Sequence, residues 1–401
     1  MTNIELCEKE LESVFKRLDE IAYYNQKKVM SAFQECKVAT NFFAGTTGYG
    51  YDDMGRDNLA KIFAKTLGGE DALVSPLITC GSHAISLVLY GLLRPNDTLL
   101  SISGSLYDTL SDTIFGKGTG SLEDFGIKYE EIALKGNDFD EEKILKRILE
   151  IKPKVIFVQR SRGYTDRKAL YISQMEEIFK KIREVYNGGY IVVDNCYGEF
   201  VETKEPTDVG ADVIVGSLIK NPGGGIAQTG GYVVGTEKAV DLIARRFTSP
   251  SLAKEVGSFE MGYRTFYQGF FMAPHTVKEA IKGAYLVGKV LEKKGYTVLP
   301  SSDEIAGDII KSIVFGNEES LVSFVQSVQK FSPVDSFVVP MPWAMPGYED
   351  KVIMAAGTFV GGASIELSCD APVKPPYIGY LQGGLSYEHL KIVAEELDKR
   401  F

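Results

Sequence analysis

The segment GSLIKNPGGG, residues 216–225, sets a lysine directly behind an apolar run and ahead of a turn of Asn, Pro and three glycines. The preceding DVIVGSLI reads as a short buried strand, and Pro222 with the glycines ends regular structure. Lys220 is therefore expected at the mouth of a strand, where the backbone turns sharply and a bulky group can approach closely. A lysine in such a place is either a solvated loop residue or an amine held for chemistry.

Other chemistry-bearing residues fall at similar positions. YIVVDN delivers Asp194 at the end of a strand, and LITCGSHAIS places Gly81, Ser82 and His83 at a helix start directly after one. The free N–H groups and dipole of a helix start suit a phosphate. Ser217 adds a hydroxyl donor, and Tyr107 in GSLYDTL adds a flat aromatic face. Taken singly, each has a plain structural reading. Asp194 is a turn residue, Gly81-Ser82 a helix cap, Tyr107 core packing and His83 a satisfied structural histidine. Taken together, a phosphate cradle, a carboxylate, an amine and a stacking ring specify pyridoxal 5′-phosphate (PLP). The lysine forms the internal Schiff base, and the carboxylate keeps the pyridine nitrogen protonated so that the ring acts as an electron sink. A nicotinamide site would instead need G-x-G-x-x-G after the first strand with an acid about 20 residues on, and the sequence does not show it.

The elements that must position these residues are short apolar strands alternating with helices, among them ALVSPLIT, DTLLSI, KVIFVQ, YIVVDN, DVIVGSLI and GYVVG. That pattern predicts an α/β protein with a doubly wound, mostly parallel sheet, whose ligands bind beyond the carboxyl ends of the strands. Residues 4 to about 38 read as one or two helices, followed by the glycine- and aspartate-rich loop GTTGYGYDDMGRD. From about 275 a long helix, a Pro-rich loop at 332–347, strands near 352–356 and 363–367 and a last helix predict a smaller α+β lobe. The expected division is a helical arm at 1–45, a large cofactor domain at 46–274 and a small domain at 275–401.

Composition sets the limits. The 401 residues are 44% hydrophobic and 24% charged, as in an ordinary globular protein. A net charge of −10 argues against nucleic acid or an anionic membrane as the main partner. The N-terminus is an acidic amphipathic helix without an export signal, and no apolar run reaches a membrane span of about 18 residues. Five scattered cysteines without a CxxC pair fit reduced thiols in a cytoplasmic protein. His83, His275 and His389 lie far apart, and no metal site is expected.

VVDNCYGEF, GADVIVGSLIKNPGGGIAQTGGYVVG, TGYGYDDMGRD, LYDTL and YLQGGLSYEH resemble the methionine γ-lyase-like proteins, also called the aluminium-resistance family, from about residue 40 to the C-terminus. These are similar to the cystathionine lyases of PLP fold type I, the aspartate-aminotransferase-like fold. The resemblance implies Lys220 as the Schiff-base lysine, Asp194 as the pyridine partner, Tyr107 as the stacking aromatic and Ser217 as a phosphate ligand. It also implies a homodimer or homotetramer with shared active sites. Cystathionine lyases present a tyrosine and an arginine two residues apart to the neighbouring subunit's phosphate; here Tyr51 and Arg56 are the counterparts, five apart. After KVIFVQ those cystathionine lyases continue with Pro and Asn-Pro, whereas this chain has RSRGYTDR, which offers Arg160 or Arg162 near the ring oxygen or the substrate carboxylate. The usual late arginine for that carboxylate has no clear match, and Lys374 stands in its region.

The implied reaction is that of a carbon–sulfur lyase on a sulfur-containing amino acid. Lys220 removes the Cα proton, its pKa lowered beside a cationic ring in a partly dry site, and Tyr107 assists the leaving sulfur. The alternatives are another PLP-dependent reaction (aminotransferase, racemase or aldolase) and a non-catalytic cofactor-binding or metal-tolerance protein. Ser217 and Lys220 also fit the S-x-x-K of a serine hydrolase, but S-D-N and K-T-G are missing.

Overall fold

A computed structural model describes residues 1–165, 167–345 and 350–401. Seven short strands form the larger sheet: β1 (Asp71–Ser75), β2 (Thr98–Ser101), β3 (Lys128–Glu131), β4 (Val155–Gln159), β5 (Tyr190–Asp194), β6 (Val213–Ser217) and β7 (Gly231–Gly235). Their order is β1-β7-β6-β5-β4-β2-β3. Strands β2 to β6 run parallel, while β7 is antiparallel to both β1 and β6. The apolar runs are continuous because both faces are buried. Along β4, Val155 and Phe157 enter the core beneath helices Gly81–Leu92 and Glu237–Phe247, while Ile156 and Val158 enter the opposite one. That is the two-residue period of a strand covered on both sides. The polar KYEE strand β3, at the sheet edge, gives no such signal in the sequence.

The second sheet is antiparallel throughout, in the order β10-β11-β12-β9-β8. Its strands are β8 (Thr297–Leu299), β9 (Ile310–Val314), β10 (Val352–Ala355), β11 (Ser368–Pro372) and β12 (Ile378–Gln382). Helices Asn3–Glu10 and Glu12–Glu35 form the N-terminal arm.

Two expectations change. The helix expected from residue 275 begins at Arg264 and runs through Pro274 to Lys293, so the expected domain boundary falls inside it. A proline costs a helix interior one hydrogen bond, but here Phe266, Tyr267 and Phe270 are buried just upstream, and Phe270 stacks on Phe63 with centroids 3.9 Å apart. Burying rings of this size outweighs the lost bond. The strand expected at 363–367 is a turn, because the Glu366 carboxylate accepts the N–H groups of Phe359 and Val360 and folds that segment back on itself. Of the Pro-rich loop, residues 346 and 347 lie outside the described residues. Among the described residues no helix is long and apolar enough to cross a membrane.

Candidate active site

Because β4, β5 and β6 are parallel, their carboxyl ends share one edge of the sheet, and β1 and β2 end there too. A cavity of about 220 Å³ lies at this edge. Lys220, Asp194, Ser217 and Tyr107 line one side of it, and residues of the smaller sheet line the other.

Strand β6 stops at Ser217, two residues earlier than its apolar run suggests, because the chain turns on itself. The N–H of Lys220 donates to the Ser217 carbonyl at 3.4 Å, and the N–H of Ile219 donates to Ser217 Oγ at 3.4 Å. The group that approaches the glycines is the chain's own long helix. A Cβ on Gly224 (φ +56°) would sit 2.4 Å from the carbonyl oxygen of Gly269, and one on Gly269 would sit 2.3 Å from that of Gly223. The glycines seat the lysine-bearing turn against a helix backbone.

Lys220 is half-buried, with Nζ 4.1 Å from the centroid of the Tyr197 ring. Burial alone would lower its pKa. Cys196, Tyr197, Asp194 and Tyr107 outweigh burial and hold the amine above its ordinary value. The fall expected of a catalytic lysine is therefore not supplied by the protein groups alone.

Asp194 ends β5 opposite Gln159 of β4 and accepts the N–H of Cys196 at 3.1 Å. Burial pushes its carboxyl up, while Lys220 and the Cys196 hydrogen bond pull it down. The helix after β1 begins at Gly81, capped by Cys80, whose Sγ accepts the His83 N–H at 3.4 Å. A Cβ on Gly81 would touch Cys196 Sγ and Ser217 Cβ, each at 3.6 Å. The start of the helix thus lies directly beside Ser217 and the end of β5.

Several sequence candidates fall elsewhere. His83 does not line the cavity; its Nδ1 accepts the Thr79 N–H at 3.1 Å and steadies the turn before the helix. Arg160 is fully buried and spends its guanidinium on Asn195 Oδ1 (2.9 Å), the Gly198 carbonyl (2.9 Å) and Glu202 (2.8 Å). It holds the loop that follows Asp194 and is turned away from the ring site. Arg162 donates to the Leu299 carbonyl and Ser312 Oγ, each at 3.0 Å, pinning the loop after β4 to the smaller sheet. It also lines an outer cleft with Lys374, which pairs with Asp350 at 2.7 Å. That cleft shares Tyr107, Gln159, Gly163 and Tyr164 with the inner cavity. Arg56 is buried and donates to the Gly50 carbonyl at 2.9 Å and to Asp57 at 2.9 Å, so it anchors its own loop. Tyr51, 55% exposed, projects from that loop, and neither residue lines the cavity of its own chain.

The cavity also contains residues that sequence reasoning missed. Tyr197 is held at φ +71°, an uncommon conformation for a residue with a side chain, and its ring faces Lys220. Asp370 of β11 and Tyr380 and Gln382 of β12 form the wall from the smaller sheet. The one available signal for Asp370 was an acid set among apolar residues in SCDAP.

The donor set fits PLP: a lysine amine, a carboxylate at a strand end, a hydroxyl beside a helix start and an aromatic ring around one cavity. Gln159 Oε1, buried in the same wall without a partner among the described residues, is a further polar atom suited to a polar ligand.

The methionine gamma-lyase family profile matches residues 1–401. An uncharacterized protein of Bacillus subtilis, YnbB, is 46% identical over 96% of this chain and 92% of its own length. A Clostridium novyi structure described as a carbon-sulfur lyase involved in aluminum resistance is 44% identical, with a TM-score of 0.95 over 99% of this chain and 95% of that one. A Clostridium acetobutylicum structure, provisionally named cystathionine beta-lyase involved in aluminum resistance, is 49% identical, with a TM-score of 0.96 over 99% and 94%. An Escherichia coli protein described as PLP-dependent, YhfS, shares the fold at 15% identity and a TM-score of 0.63 over 96% of this chain and 97% of its own. The fold is PLP fold type I, the cofactor is pyridoxal 5′-phosphate, and the chain belongs to the methionine gamma-lyase family.

Proposed function

We propose that this protein is a carbon–sulfur lyase that eliminates a thiol from a sulfur-containing amino acid. The observation that carries the reading is the meeting of Lys220, Asp194, Ser217 and the Gly81 helix start around one cavity. When bound, the cofactor supplies an electron sink for negative charge at the substrate Cα. The free N–H groups of the helix start and the Ser217 hydroxyl bind its phosphate, and Asp194 holds a proton at the pyridine nitrogen. Lys220 anchors the aldehyde carbon and, once its amine is free, carries the proton from Cα. Tyr107 offers a face for stacking and a hydroxyl to protonate the departing sulfur.

Assembly belongs to the same reading. Among the described residues lining the cavity, Lys220 is the only cation, which leaves a dianionic phosphate short of positive charge. The loop carrying Tyr49 and Tyr51, 69% and 55% exposed, is suited to reach a second copy's cavity. The working unit is therefore a homodimer or a pair of dimers.

Purified protein should be yellow, and borohydride should fix the cofactor on Lys220. Incubation with S-substituted cysteines or homocysteines should release thiol, ammonia and keto acid together. A label on another lysine, or keto acid formed without thiol, would refute the assignment.

A further inference from the structure

The smaller sheet places one carboxyl on the cavity wall, that of Asp370 on β11. Its Oδ2 accepts the Tyr164 hydroxyl at 3.1 Å and the Gln382 amide at 3.1 Å. Both donors reach the same oxygen, and among the described residues Oδ1 takes no hydrogen bond. The titratable groups around it are Lys220 and Asp194 on the facing wall, Tyr164 from the loop after β4, Tyr197, its chain neighbour Cys369, and Tyr380 opposite on β12. Burial pushes the Asp370 carboxyl above its ordinary value of 3.8, and the pull of Tyr164, Gln382 and Lys220 does not cancel that rise.

Asp370 also stands where a leaving group must pass. Residues two apart on a strand share one face; on β11 Asp370 lines the inner cavity and Pro372 lines the outer cleft. Tyr164, which holds Asp370, lines both. The carboxyl therefore lies beside the passage between the two spaces. In the proposed elimination the sulfur departs with negative charge, and a proton delivered as the bond breaks removes that charge. Tyr107 offers one such proton. General acids work best with a pKa near the working pH, so a carboxyl held above its ordinary value is better matched to the task than a phenol of about 10.

Resting on the lyase reading, we propose that Asp370 is a catalytic general acid whose Oδ1–H protonates the departing sulfur. The C–S bond breaks and its electron pair passes to sulfur. The Oδ1–H bond breaks, the proton joins sulfur, and the thiol leaves neutral. Asp370 is left as a carboxylate. Lys220 holds the proton taken from Cα and gives it up when its nitrogen bonds the aldehyde carbon again, while Asp370 takes up one proton in exchange. The cycle closes without a further acid. Tyr164 and Gln382 are positioning residues, which keep Oδ2 occupied and leave Oδ1 to carry the proton.

The test follows single-turnover thiol release from holoenzyme with two substrates that differ in the leaving group alone. They are the S-ethyl and S-phenyl derivatives of whichever chain, cysteine or homocysteine, the enzyme cleaves. A phenyl thiolate departs readily without a proton, and an ethyl thiolate needs one. Asp370→Asn should slow S-ethyl release on the order of 10²-fold and leave S-phenyl release within about threefold. Asp370→Glu should recover part of the loss, and Tyr107→Phe should affect both substrates alike. In the parent enzyme the ratio of S-ethyl to S-phenyl rates should fall as pH rises from about 5 to about 9 and Asp370 ionises; in Asp370→Asn it should be flat. A flat ratio in the parent overturns the proposal whether or not the variants fold. Equal loss for both substrates in Asp370→Asn makes the residue structural, and a selective loss in Tyr107→Phe alone assigns the proton to Tyr107; either result overturns it. If neither substrate yields thiol together with keto acid, the lyase reading falls and this one with it. Thiol release without the dependence on leaving group removes this one alone.

Discussion

The two walls of the cavity are built by opposite means. The larger sheet presents residues at strand ends, where parallel topology forces Lys220, Asp194, Ser217 and the Gly81 helix start to one edge. The smaller sheet presents residues from the middle of antiparallel strands, where Asp370 pairs with Tyr380 across β11 and β12. Strand ends concentrate the groups that hold a cofactor, because loops there are free to turn and helix starts face the ligand. A strand face offers only alternate side chains in fixed register, a setting suited to discriminating among substrates. Substitutions on the first wall should therefore abolish chemistry, and those on the second should redirect it.

The largest effect falls on Lys220. Lys220→Ala should lose turnover by a factor on the order of 10³ or more, while still binding cofactor weakly through the phosphate cradle. Mixing this variant with Tyr51→Ala sharpens the comparison, because it asks whether a third wall comes from a second chain. If the Tyr51 loop serves the neighbour's phosphate, one site of a mixed dimer carries both lesions and the other none, so activity should reappear after subunit exchange. Exchange confirmed by mass without recovery would assign the loop to its own chain. Full activity of Tyr51→Ala alone would remove it from the site.

Next comes Asp194→Asn, which keeps the shape and removes the charge that holds the pyridine proton. Steady-state rates should fall on the order of 10²-fold, as for other single electrostatic deletions, while the melting temperature moves little. Kinetics within about twofold of the parent would make Asp194 a turn residue after all.

The legibility of the molecule follows the same division. Lys220 and Asp194 were readable because each closes an apolar run, and the end of a parallel strand is a predictable place. The settings of the arginines were not legible for a physical reason: sequence shows a charge near a site but not which acceptors surround it. Arg160 is absorbed by Asn195, Gly198 and Glu202, and Arg56 by Gly50 and Asp57. Asp370 was missed because the acid in SCDAP does not tell which face of an antiparallel strand meets the cavity. The length of the helix Arg264–Lys293 was hidden by Pro274, whose local penalty is outweighed by tertiary burial of aromatic rings.

The smallest predicted effect concerns a buried acid on one side of this division and a buried base on the other. Glu199, in the larger domain, is wholly buried; its carboxyl is pushed up to about 8 by burial, against the pull of its hydrogen bond from Tyr232. Lys311 on β9 is pulled down to about 7 by burial and by Arg162, although it donates to the Pro300 carbonyl at 2.9 Å. Their linkages have opposite sign. The folded chain holds a proton on Glu199 that the unfolded chain gives up above its ordinary value of 4.5, so this contribution is present below 4.5 and is lost as pH rises through about 8. The folded chain lacks a proton on Lys311 that the unfolded chain carries up to 10.5, so this contribution is present above 10.5 and is lost as pH falls through about 7. Chemical denaturation across pH should therefore show Glu199→Gln flattening the loss of stability between pH 5 and 8, and Lys311→Met flattening the gain between pH 7 and 10. Each change should be on the order of a few kcal/mol at most. Parallel pH profiles for parent and variant would show that the group carries the same proton folded and unfolded, and would remove its domain's half of the contrast.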